Sequence, residues 1–328
     1  MSTTKQLAWG ILGTGNIARQ FATGLQDSQR GTLAAVGSRH AETARTFAGA
    51  HGGERAYGSY QELLDDPKVQ AVYVSLPNSM HHEWTIKALR AGKHVLCEKP
   101  MATNLAQAQE MFDVAKREGK VLVEAFMYRS HPMTLALEKV VREGRIGKVK
   151  MIRSSFVYAT GNVAGNVRFD AGLAGGALMD IGCYCTSYAR LFAGAEPTAM
   201  TVHGHLHASK VDDYAAGVMA FPEGVLSTFM CGMTVHAENT AHLLGTGGYI
   251  EIPVPWKPPV MDAEFTVVEG GGKRETVKVS AGKHLYALEA DDFAASVLEG
   301  MPARVSVQDS LGNQAVLDEM RRQVGVKY

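Results

Sequence analysis

The feature that most constrains the fold is an apolar run near the start of the chain that ends in a glycine turn and opens a helix. The run covers residues 7–12. Gly13 permits a tight turn, Gly15 leaves room for the backbone to approach a phosphate, and the small Ala18 lets the helix pack on the strand. A helix N-terminus adds about half a positive charge and free N–H donors, which suits a dinucleotide pyrophosphate. The residues predicted to bind it are Gly13, Thr14, Gly15, Asn16 and Ile17.

This pattern is short, and any glycine turn between a strand and a helix can match it. A purely structural turn therefore stays open on the pattern alone. The rest of the chain decides between the two interpretations.

Length and charge balance indicate what kind of partner the chain binds. A chain of 328 residues is long enough for about two domains, each with its own core. The 33 Lys and Arg residues equal the 33 Asp and Glu residues, so no overall field attracts nucleic acid or an anionic membrane. We therefore expect a small-molecule ligand, and neither nucleic acid nor a membrane as partner.

The cysteines and the N-terminal residues indicate a cytoplasmic protein. Residues 1–6 are polar and lack the apolar core of a secretory signal. No stretch approaches the roughly 20 apolar residues that a membrane span needs. The cysteines follow no zinc-binding spacing, and they are Cys97, Cys183, Cys185 and Cys231.

The first 126 residues alternate short apolar runs with helical patterns, which is typical of a doubly wound parallel sheet. The predicted strands cover residues 7–12, 33–37, 71–75, 94–97 and 121–125. The predicted helices cover residues 16–25, 41–48, 79–91 and 104–117, the last two ending at the C-cap candidates Gly92 and Gly119. We predict a dinucleotide-binding α/β domain over residues 1–126.

The pattern changes after residue 126, where we predict an α+β domain over residues 127–328 with a large, mostly antiparallel sheet. Its predicted strands cover residues 148–157, 199–205, 215–221, 225–231, 241–246, 249–252 and 264–268. Its predicted helices cover residues 134–143, 176–192, 285–299 and 307–323, and the last two are expected to pack back near the first domain. An antiparallel sheet with one uncovered face would hide it by association, so we expect a homodimer or homotetramer.

The end of the second strand indicates which dinucleotide is bound. NAD-binding folds carry an Asp or Glu there that accepts hydrogen bonds from the adenosine ribose. This chain has Ser38 and Arg39 instead. Because a carboxylate would repel a 2'-phosphate and an arginine fork would hold it, we predict NADP. Stacking of Arg39 on the adenine of NAD, or a simply solvated arginine, stays open.

Two strand candidates end in residues suited to the nicotinamide half of the cofactor. One ends at Ser75, followed by Leu76, Pro77 and Asn78, and the other ends in Cys97, Glu98 and Lys99. The carboxyl edge of a doubly wound sheet holds the ligand, so Lys99 is expected to face the nicotinamide. A surface lysine at a strand end is the alternative.

Oxidation of a carbinol, or reduction of a carbonyl, needs a group that carries a proton. A lysine that is partly desolvated can have its pKa lowered toward neutrality and act in this way. Asp180 and Tyr184 are spaced i, i+4 and would share one helix face, with Lys99 approaching from the other domain. We predict Lys99 as the principal proton-transfer group, with Tyr184 assisting or sharing the role and Asp180 orienting substrate hydroxyls. A capping acid and a core phenol are the structural alternatives for Asp180 and Tyr184.

Four motifs together resemble the Gfo/Idh/MocA oxidoreductases, and the resemblance spans nearly the whole chain. They are the glycine turn at 13–15, Glu98-Lys99-Pro100, the stretch 124–129 and the stretch 175–184. The resemblance implies a Rossmann N-terminal domain, with Lys99, Asp180 and Tyr184 as catalytic residues. With Tyr184 in place of the histidine that is commoner at this position, the chain most resembles the branch of the dimeric dihydrodiol and NADP-dependent pentose dehydrogenases. The tyrosine at this position makes an inositol a less expected substrate.

These features predict an NADP-dependent oxidoreductase that transfers a hydride between the nicotinamide and a carbinol or carbonyl of a sugar or vicinal diol. A redox-assisted glycosidase with tightly held NAD and a catalytically idle NADP-binding regulator are the alternatives. The further cofactor candidates are Leu76, Pro77, Asn78, Glu98 and Arg168, and the further substrate candidates are Tyr128 and Arg129. For each of these, a structural role is an equal alternative.

Three histidines alternate along a strand candidate, which invites a metal interpretation. They are His203, His205 and His207, and no nearby cysteine or acid completes a recognisable ligand set. We predict no metal site.

Overall fold

The computed structural model describes residues 5–328, which form two compact units. The first unit comprises the described part of Met1–Ser130 together with Lys283–Ser310, and the second comprises His131–Gly282 and Leu311–Tyr328. The domain division at residue 126 stays a prediction. No helix within residues 5–328 combines the length and the apolar character needed to cross a membrane.

Helices and strands alternate in the first part of the chain, and strands dominate the middle. The strands are β1 (Leu7–Leu12), β2 (Gly31–Gly37), β3 (Arg55–Tyr57), β4 (Ala71–Val74), β5 (His94–Glu98), β6 (Leu122–Ala125), β7 (Val149–Val157), β8 (Ala199–Leu206), β9 (Asp212–Ala220), β10 (Leu226–Gly232), β11 (Ala241–Gly245), β12 (Gly248–Ile252), β13 (Ala263–Glu269) and β14 (Arg274–Val279). The α-helices are α1 (Asn16–Asp27), α2 (Ala41–His51), α3 (Tyr60–Asp65), α4 (His81–Arg90), α5 (Leu105–Arg117), α6 (Pro132–Arg142), α7 (Cys183–Ala193), α8 (Leu285–Glu299) and α9 (Val307–Val324).

The first unit contains a six-stranded parallel sheet with the strand order β3-β2-β1-β4-β5-β6. The order reverses between β1 and β4, which is the point where a doubly wound sheet holds its ligand. The predicted doubly wound parallel sheet is therefore confirmed.

Local sequence explains where several helices of this unit begin and end. The side chain of Asn104 accepts a hydrogen bond from the Gln107 N–H and so caps the start of α5. Gly92 and Gly119 follow the last turns of α4 and α5 with φ angles of +77° and +62°. Glycine adopts this left-handed conformation readily, so both positions end a helix as predicted.

Helix α8 packs on α1 and completes the apolar core of the first unit. The ring of Phe293 lies 5.0 Å from that of Trp9, and the Ser28 hydroxyl donates to Asp291 at 2.5 Å. The close approach of α1 and α8 requires Gly24, because a Cβ there would lie 2.6 Å from the Cβ of Tyr286.

The second unit contains an eight-stranded sheet with the order β14-β13-β12-β11-β7-β10-β9-β8. All neighbouring strands are antiparallel except β7 and β10, which run parallel, so the predicted mostly antiparallel sheet is confirmed. Helix α7 packs on one face of β7 and β10. The opposite face carries exposed apolar side chains at neighbouring positions of β7, β9 and β10. They are Met151, Tyr214, Val218, Leu226 and Met230.

Candidate active site

The glycine turn after β1 has the geometry that a pyrophosphate needs. Gly13 has a φ of +101°, and a Cβ there would lie 3.1 Å from the Ser75 hydroxyl oxygen. Gly15 is the N-cap of α1 and supplies no side chain to cap the helix, and a Cβ built on it meets nothing within 4 Å. The first N–H groups of α1 are therefore available to an anion, and the residues fit a bound dinucleotide.

Ser38 and Arg39 follow β2 at the same edge of the sheet. Ser38 is buried, and its N–H donates to the Tyr57 carbonyl at 3.2 Å. Arg39 is exposed and forms no ion pair within the described residues. Burial raises the pKa of Tyr60, and the charge of Arg39 opposes that rise, so the guanidinium lies near this ring. An unneutralised guanidinium beside a buried hydroxyl suits a phosphate.

The register of the parallel strands aligns the ends of β1, β4 and β5. Leu12 pairs with Val74, and Val74 pairs with Cys97. Since neighbouring strands are about 4.8 Å apart, the glycine turn and the Glu98-Lys99 segment lie roughly two strand spacings from each other. Both follow the same edge of one sheet.

The segment 98–101, which carries Lys99 and is called here the lysine loop, is held by buried contacts on several sides. The Tyr73 hydroxyl donates to the Glu98 carboxylate. The Met101 N–H donates to Glu124 Oε1 at 2.8 Å. Lys99 itself is half-buried. These contacts fix the backbone on both sides of Lys99.

His81, at the start of α4, connects the lysine loop to the segment after β4. Its Nδ1 lies 2.9 Å from the Pro100 carbonyl oxygen, and its Nε2 lies 2.8 Å from the Leu76 carbonyl oxygen. Burial lowers the pKa of His81, so the neutral ring donates to one of the two carbonyls at neutral pH. Pro77 and Asn78 follow Leu76 and enter a short 3₁₀ turn, Asn78–Met80.

Tyr128 and Arg129 are buried in the first unit. Arg129 donates to Asp309 Oδ2 at 2.7 Å and to the Arg304 carbonyl at 3.3 Å. The ring of Tyr128 lies edge-on to that of Phe126, 6.1 Å away. Their predicted contact with substrate stays a prediction.

In the second unit, Asp180 lies in a π-helical turn, Leu178–Gly182, that continues directly into α7. Asp180 Oδ2 accepts a hydrogen bond from the Tyr158 hydroxyl at 2.7 Å and from Arg168 Nε at 2.9 Å. Burial, followed by the charge of Asp180, raises the pKa of Tyr158, so its hydroxyl stays protonated and donates. Arg168 thus forms an ion pair with Asp180, and its predicted contact with the cofactor stays a prediction.

Tyr184 belongs to a cluster of aromatic rings. Its ring lies edge-on to Phe156 at 5.3 Å and to Trp256 at 6.1 Å. Phe156 and Trp256 stack with nearly parallel planes at 5.5 Å. The Trp256 indole N–H donates to the Ser155 carbonyl at 2.8 Å, which fixes its orientation. The cluster gives Tyr184 a rigid apolar setting.

The sequence reasoning missed four residues of this arrangement. They are His81 as a link between carbonyls, Tyr158 as a partner of Asp180, and the rings of Phe156 and Trp256. The end of β7, where Phe156 and Tyr158 precede a glycine-rich stretch, was an available signal, because functional side chains often follow strand ends.

Two of the three histidines of β8 and the following turn contact other side chains. His205 Nδ1 lies 2.7 Å from Asp213 Oδ1, and its ring stacks on Tyr214 at 5.1 Å. His207 Nδ1 lies 2.9 Å from the Ser209 hydroxyl oxygen. No cluster of three or more His, Cys, Asp or Glu side chains suited to a metal ion occurs between residues 5 and 328.

Comparison with known proteins gives relatives that match along almost the whole chain. Trans-1,2-dihydrobenzene-1,2-diol dehydrogenase from Mus musculus is 32% identical over 336 residues, covering 98% of both chains. The structure of a 3-ketoreductase from Actinomadura kijaniata in complex with NADP and TDP-benzene has a TM-score of 0.89 at 31% identity, covering 98% of both chains. That of aldose-aldose oxidoreductase from Caulobacter crescentus complexed with glycerol has a TM-score of 0.90 at 27% identity, also covering 98% of both chains.

Two family models match successive parts of the chain. The model described as an oxidoreductase family with an NAD-binding Rossmann fold matches residues 7–126, the region of the parallel sheet and the glycine turn. The model of the GFO/IDH/MocA C-terminal domain matches residues 134–251, which include Asp180 and Tyr184. The chain therefore belongs to the Gfo/Idh/MocA family of oxidoreductases.

Proposed function

We propose that this protein is an NADP-dependent oxidoreductase that interconverts a carbinol and a carbonyl on a sugar or a vicinal diol. The observation that carries the proposal is the alignment of the glycine turn and the lysine loop at one sheet edge, with the loop fixed by Tyr73 and Glu124. This arrangement suits a dinucleotide bound beside an amine whose neighbouring residues are held in place.

The choice of NADP rests on the end of β2. Arg39 is exposed and has no ion-pair partner among residues 5–328, and the neighbouring Ser38 adds a hydroxyl. No acid replaces them at this point of the sequence. The Actinomadura kijaniata ketoreductase, which is similar over nearly the whole chain, was solved with NADP. NAD stays the alternative cofactor.

A bound nicotinamide supplies or accepts the hydride, and the chain must then move a proton. We assign this proton transfer to the Lys99 ammonium, which gives a proton to the forming alkoxide in reduction and takes one in oxidation. Tyr184 assists through its hydroxyl, because a donor aimed at the developing negative charge lowers the barrier. The predicted cofactor contacts of Leu76, Pro77, Asn78 and Glu98 remain part of the proposal.

Asp180 orients substrate hydroxyl groups. Tyr158 and Arg168 both donate to its Oδ2 atom, so the carboxylate is held in one orientation. A fixed carboxylate accepts hydrogen bonds from adjacent hydroxyls, as a sugar or a diol would offer. Phe156, which is half-buried and stacks on the buried Trp256, adds an apolar ring against which a sugar or cyclohexadiene ring can pack.

The names of the relatives support this substrate class. They are a dihydrobenzenediol dehydrogenase, a 3-ketoreductase and an aldose-aldose oxidoreductase. Each name describes chemistry at a carbinol or carbonyl carbon. We extend that class of reaction to this chain, and leave the individual substrate to a screen of aldoses, anhydrosugars, dicarbonyls and diols.

We further propose that two or four copies associate through the uncovered face of the large sheet. Met151, Val218, Leu226 and Met230 expose apolar side chains there around Thr228 and Arg153, and isolated soluble chains rarely keep large exposed apolar patches. The four cysteines are buried free thiols, which favours a reducing compartment, and we assign the enzyme to the cytoplasm.

Replacement of Lys99 and of Tyr184 tests the mechanism. With a substrate identified by NADPH fluorescence, Lys99→Met is expected to lower kcat by about 100- to 10,000-fold, the usual contribution of a positioned proton-transfer group. Tyr184→Phe removes only a hydroxyl and is expected to lower kcat by roughly 10- to 100-fold. Binding of NADPH, measured by fluorescence titration, should be retained in both variants.

Lys87→Met is the matched control for the lysine. Lys87 is exposed on α4, where it pairs with Glu83 at 2.5 Å, and its loss should leave kcat unchanged. Full turnover by Lys99→Met would contradict the mechanism. Binding of NADPH by the wild type without turnover of any carbonyl or carbinol in the screen would contradict the proposed function.

A further inference from the structure

Three buried glutamates lie in or near the lysine loop, and one of them has no role in the mechanism above. Glu98 ends β5, Glu124 lies in β6, and Glu289 comes from α8 near the other end of the chain. All are at least nine-tenths buried, with exposures of 6%, 2% and 5%. Glu98 and Glu124 each accept a hydrogen bond that holds the loop, from Tyr73 and from the Met101 N–H.

Glu289 differs from the other two because neither of its carboxyl oxygens has a hydrogen-bond partner among the described residues. The hydroxyl of Tyr286, one turn earlier in α8, is also buried without a partner. An ionised carboxylate in such a setting is very costly, so the group takes up a proton instead. Within residues 5–328, no lysine or arginine pairs with this carboxyl group to offset a negative charge.

A small cavity lies between Glu289 and Glu124. Both side chains line it, and its volume of about 20 Å³ is enough for one water molecule. A protonated carboxyl has one hydrogen to donate, and a water can pass a hydrogen bond on to a second carboxylate. The cavity therefore offers a bridge from α8 to the residue that holds Met101.

Most of the charged groups around Glu289 are acidic. Burial comes first among the causes that raise the pKa of Glu289 well above its usual range, and the charges of Glu98 and Asp292 add to the rise. The titratable and charged groups that face it or share its cavity are Tyr73 on β4, Glu98 on β5, Glu124 on β6, Tyr286 and Asp292 on α8, and Arg304 after α8. Arg304 pairs with Asp292 at 3.4 Å.

We propose that Glu289 is a positioning residue for the lysine loop: it carries a proton at neutral pH and donates a hydrogen bond through one water in the cavity to Glu124. In this state the hydrogen bonds from Tyr73 to Glu98 and from the Met101 N–H to Glu124 persist without a negative charge on Glu289. Loss of the proton at high pH adds a buried negative charge beside these two acids, and the resulting repulsion loosens the segment that carries Lys99.

The proposal rests on the proposed function for its kinetic part, and two variants test it. Glu289→Gln keeps a neutral donor that cannot titrate. It is expected to keep kcat at pH 7 within about 3-fold of the wild type and to shift the alkaline limb of kcat/KM upward by about one pH unit or more. Glu289→Met has a similar volume and no donor. It is expected to lower kcat about 10-fold, the equivalent of one lost hydrogen bond, with little change in the KM for NADPH.

Thermal unfolding measured against pH gives a readout that needs no turnover. The pKa of Glu289 is raised in the folded state. The folded protein therefore loses stability as the pH rises from about 4, where an unfolded glutamate titrates, to the raised pKa of Glu289. Glu289→Gln does not lose stability in this way, because glutamine does not titrate. Its Tm should therefore exceed that of the wild type by a margin that widens from pH 5 to pH 8.

Asp292→Asn is the control, because this partly exposed acid lines the same cavity while Glu289 can still titrate. Its alkaline limb should persist and move to lower pH, opposite to Glu289→Gln, because the charge of Asp292 adds to the rise in the pKa of Glu289. An alkaline limb that is unchanged in Glu289→Gln, or wild-type kcat in Glu289→Met, would overturn the positioning role. If the Tm difference between Glu289→Gln and the wild type stayed constant across the pH range, Glu289 would not hold the proposed proton. A wild type that turns over no substrate would refute the proposed function instead, while the Tm series still decides whether Glu289 holds a proton.

Discussion

At the scale of single residues, the proposed preference for NADP depends on Arg39. Its guanidinium is exposed at the end of β2 and has no ion-pair partner within the described chain. Charge-assisted hydrogen bonds to a 2'-phosphate contribute about 1.5–3 kcal/mol, so Arg39→Ala is expected to raise the KM for NADP roughly 10- to 100-fold. The KM for NAD, which lacks that phosphate, should change little. Steady-state kinetics with both cofactors measure the difference.

Arg45→Ala provides the control for this change. Arg45 is also an exposed arginine near the start of α2, and it pairs with Glu42 at 2.8 Å. Both cofactors should keep their KM values in this variant. An equal, unchanged use of NADP by Arg39→Ala would exclude the assigned role.

The residues that we propose for catalysis could be named from sequence because short motifs contain them, and their roles stay predictions. Lys99 lies in such a motif, and so do Asp180 and Tyr184. The residues that position them could not be predicted, because their partners are distant in sequence. Tyr158 is 22 residues from Asp180, and His81 reaches Pro100 across 19 residues. Only the folded chain brings these pairs together.

At the scale of elements, the turn that begins the Asp180 helix depends on Gly176. This residue has a φ of +112°, and a Cβ there would lie 2.3 Å from Asp212 Oδ1. Asp212 is buried and accepts the Leu178 N–H at 2.7 Å, so it cannot move away without loss of that bond. Gly176→Ala is expected to cost about 1–3 kcal/mol in the free energy of unfolding and to lower kcat by displacing Asp180. Thermal unfolding and steady-state kinetics measure both effects.

Gly161→Ala is the matched control. Gly161 lies in the same unit, its φ is not in the left-handed region, and a Cβ there meets nothing within 4 Å. Its stability and activity should equal those of the wild type. A Gly176→Ala variant with wild-type Tm and kcat would show that the turn tolerates a side chain.

Strong periodicity made most elements predictable. The bounds of β1 and α8 agree with the prediction, because each apolar pattern has clear ends. The short elements β3, α3 and β14 were missed. β3 has only three residues, and β14 is rich in charged and exposed side chains, as edge strands often are. The π-helical turn was predicted as ordinary helix, since no local pattern separates the two.

At the scale of the whole molecule, the uncovered face of the large sheet predicts self-association. Met230 is 46% exposed near the middle of the apolar patch, in the row of Ala216 and Ser155. A charge at the centre of a buried interface is strongly destabilising, so Met230→Glu is expected to give a particle of one-chain mass. Light scattering after size-exclusion chromatography measures the mass, with the wild type expected at two or four chains.

Met301→Glu is the control, because Met301 is 56% exposed and belongs to the first unit, whereas the large sheet belongs to the second. It should keep the mass of the wild type. A one-chain mass for the wild type itself would remove the proposed assembly.

The first unit is built from two segments that are far apart in the sequence, and this affects how it folds during synthesis. Trp9, in β1, packs against Phe293 of α8, and Ser28 bonds to Asp291 of the same helix. A ribosome translates the six strands of the parallel sheet well before it reaches α8. During that interval one side of the nascent domain stays open to solvent or to chaperones, and the domain closes only when translation has nearly finished.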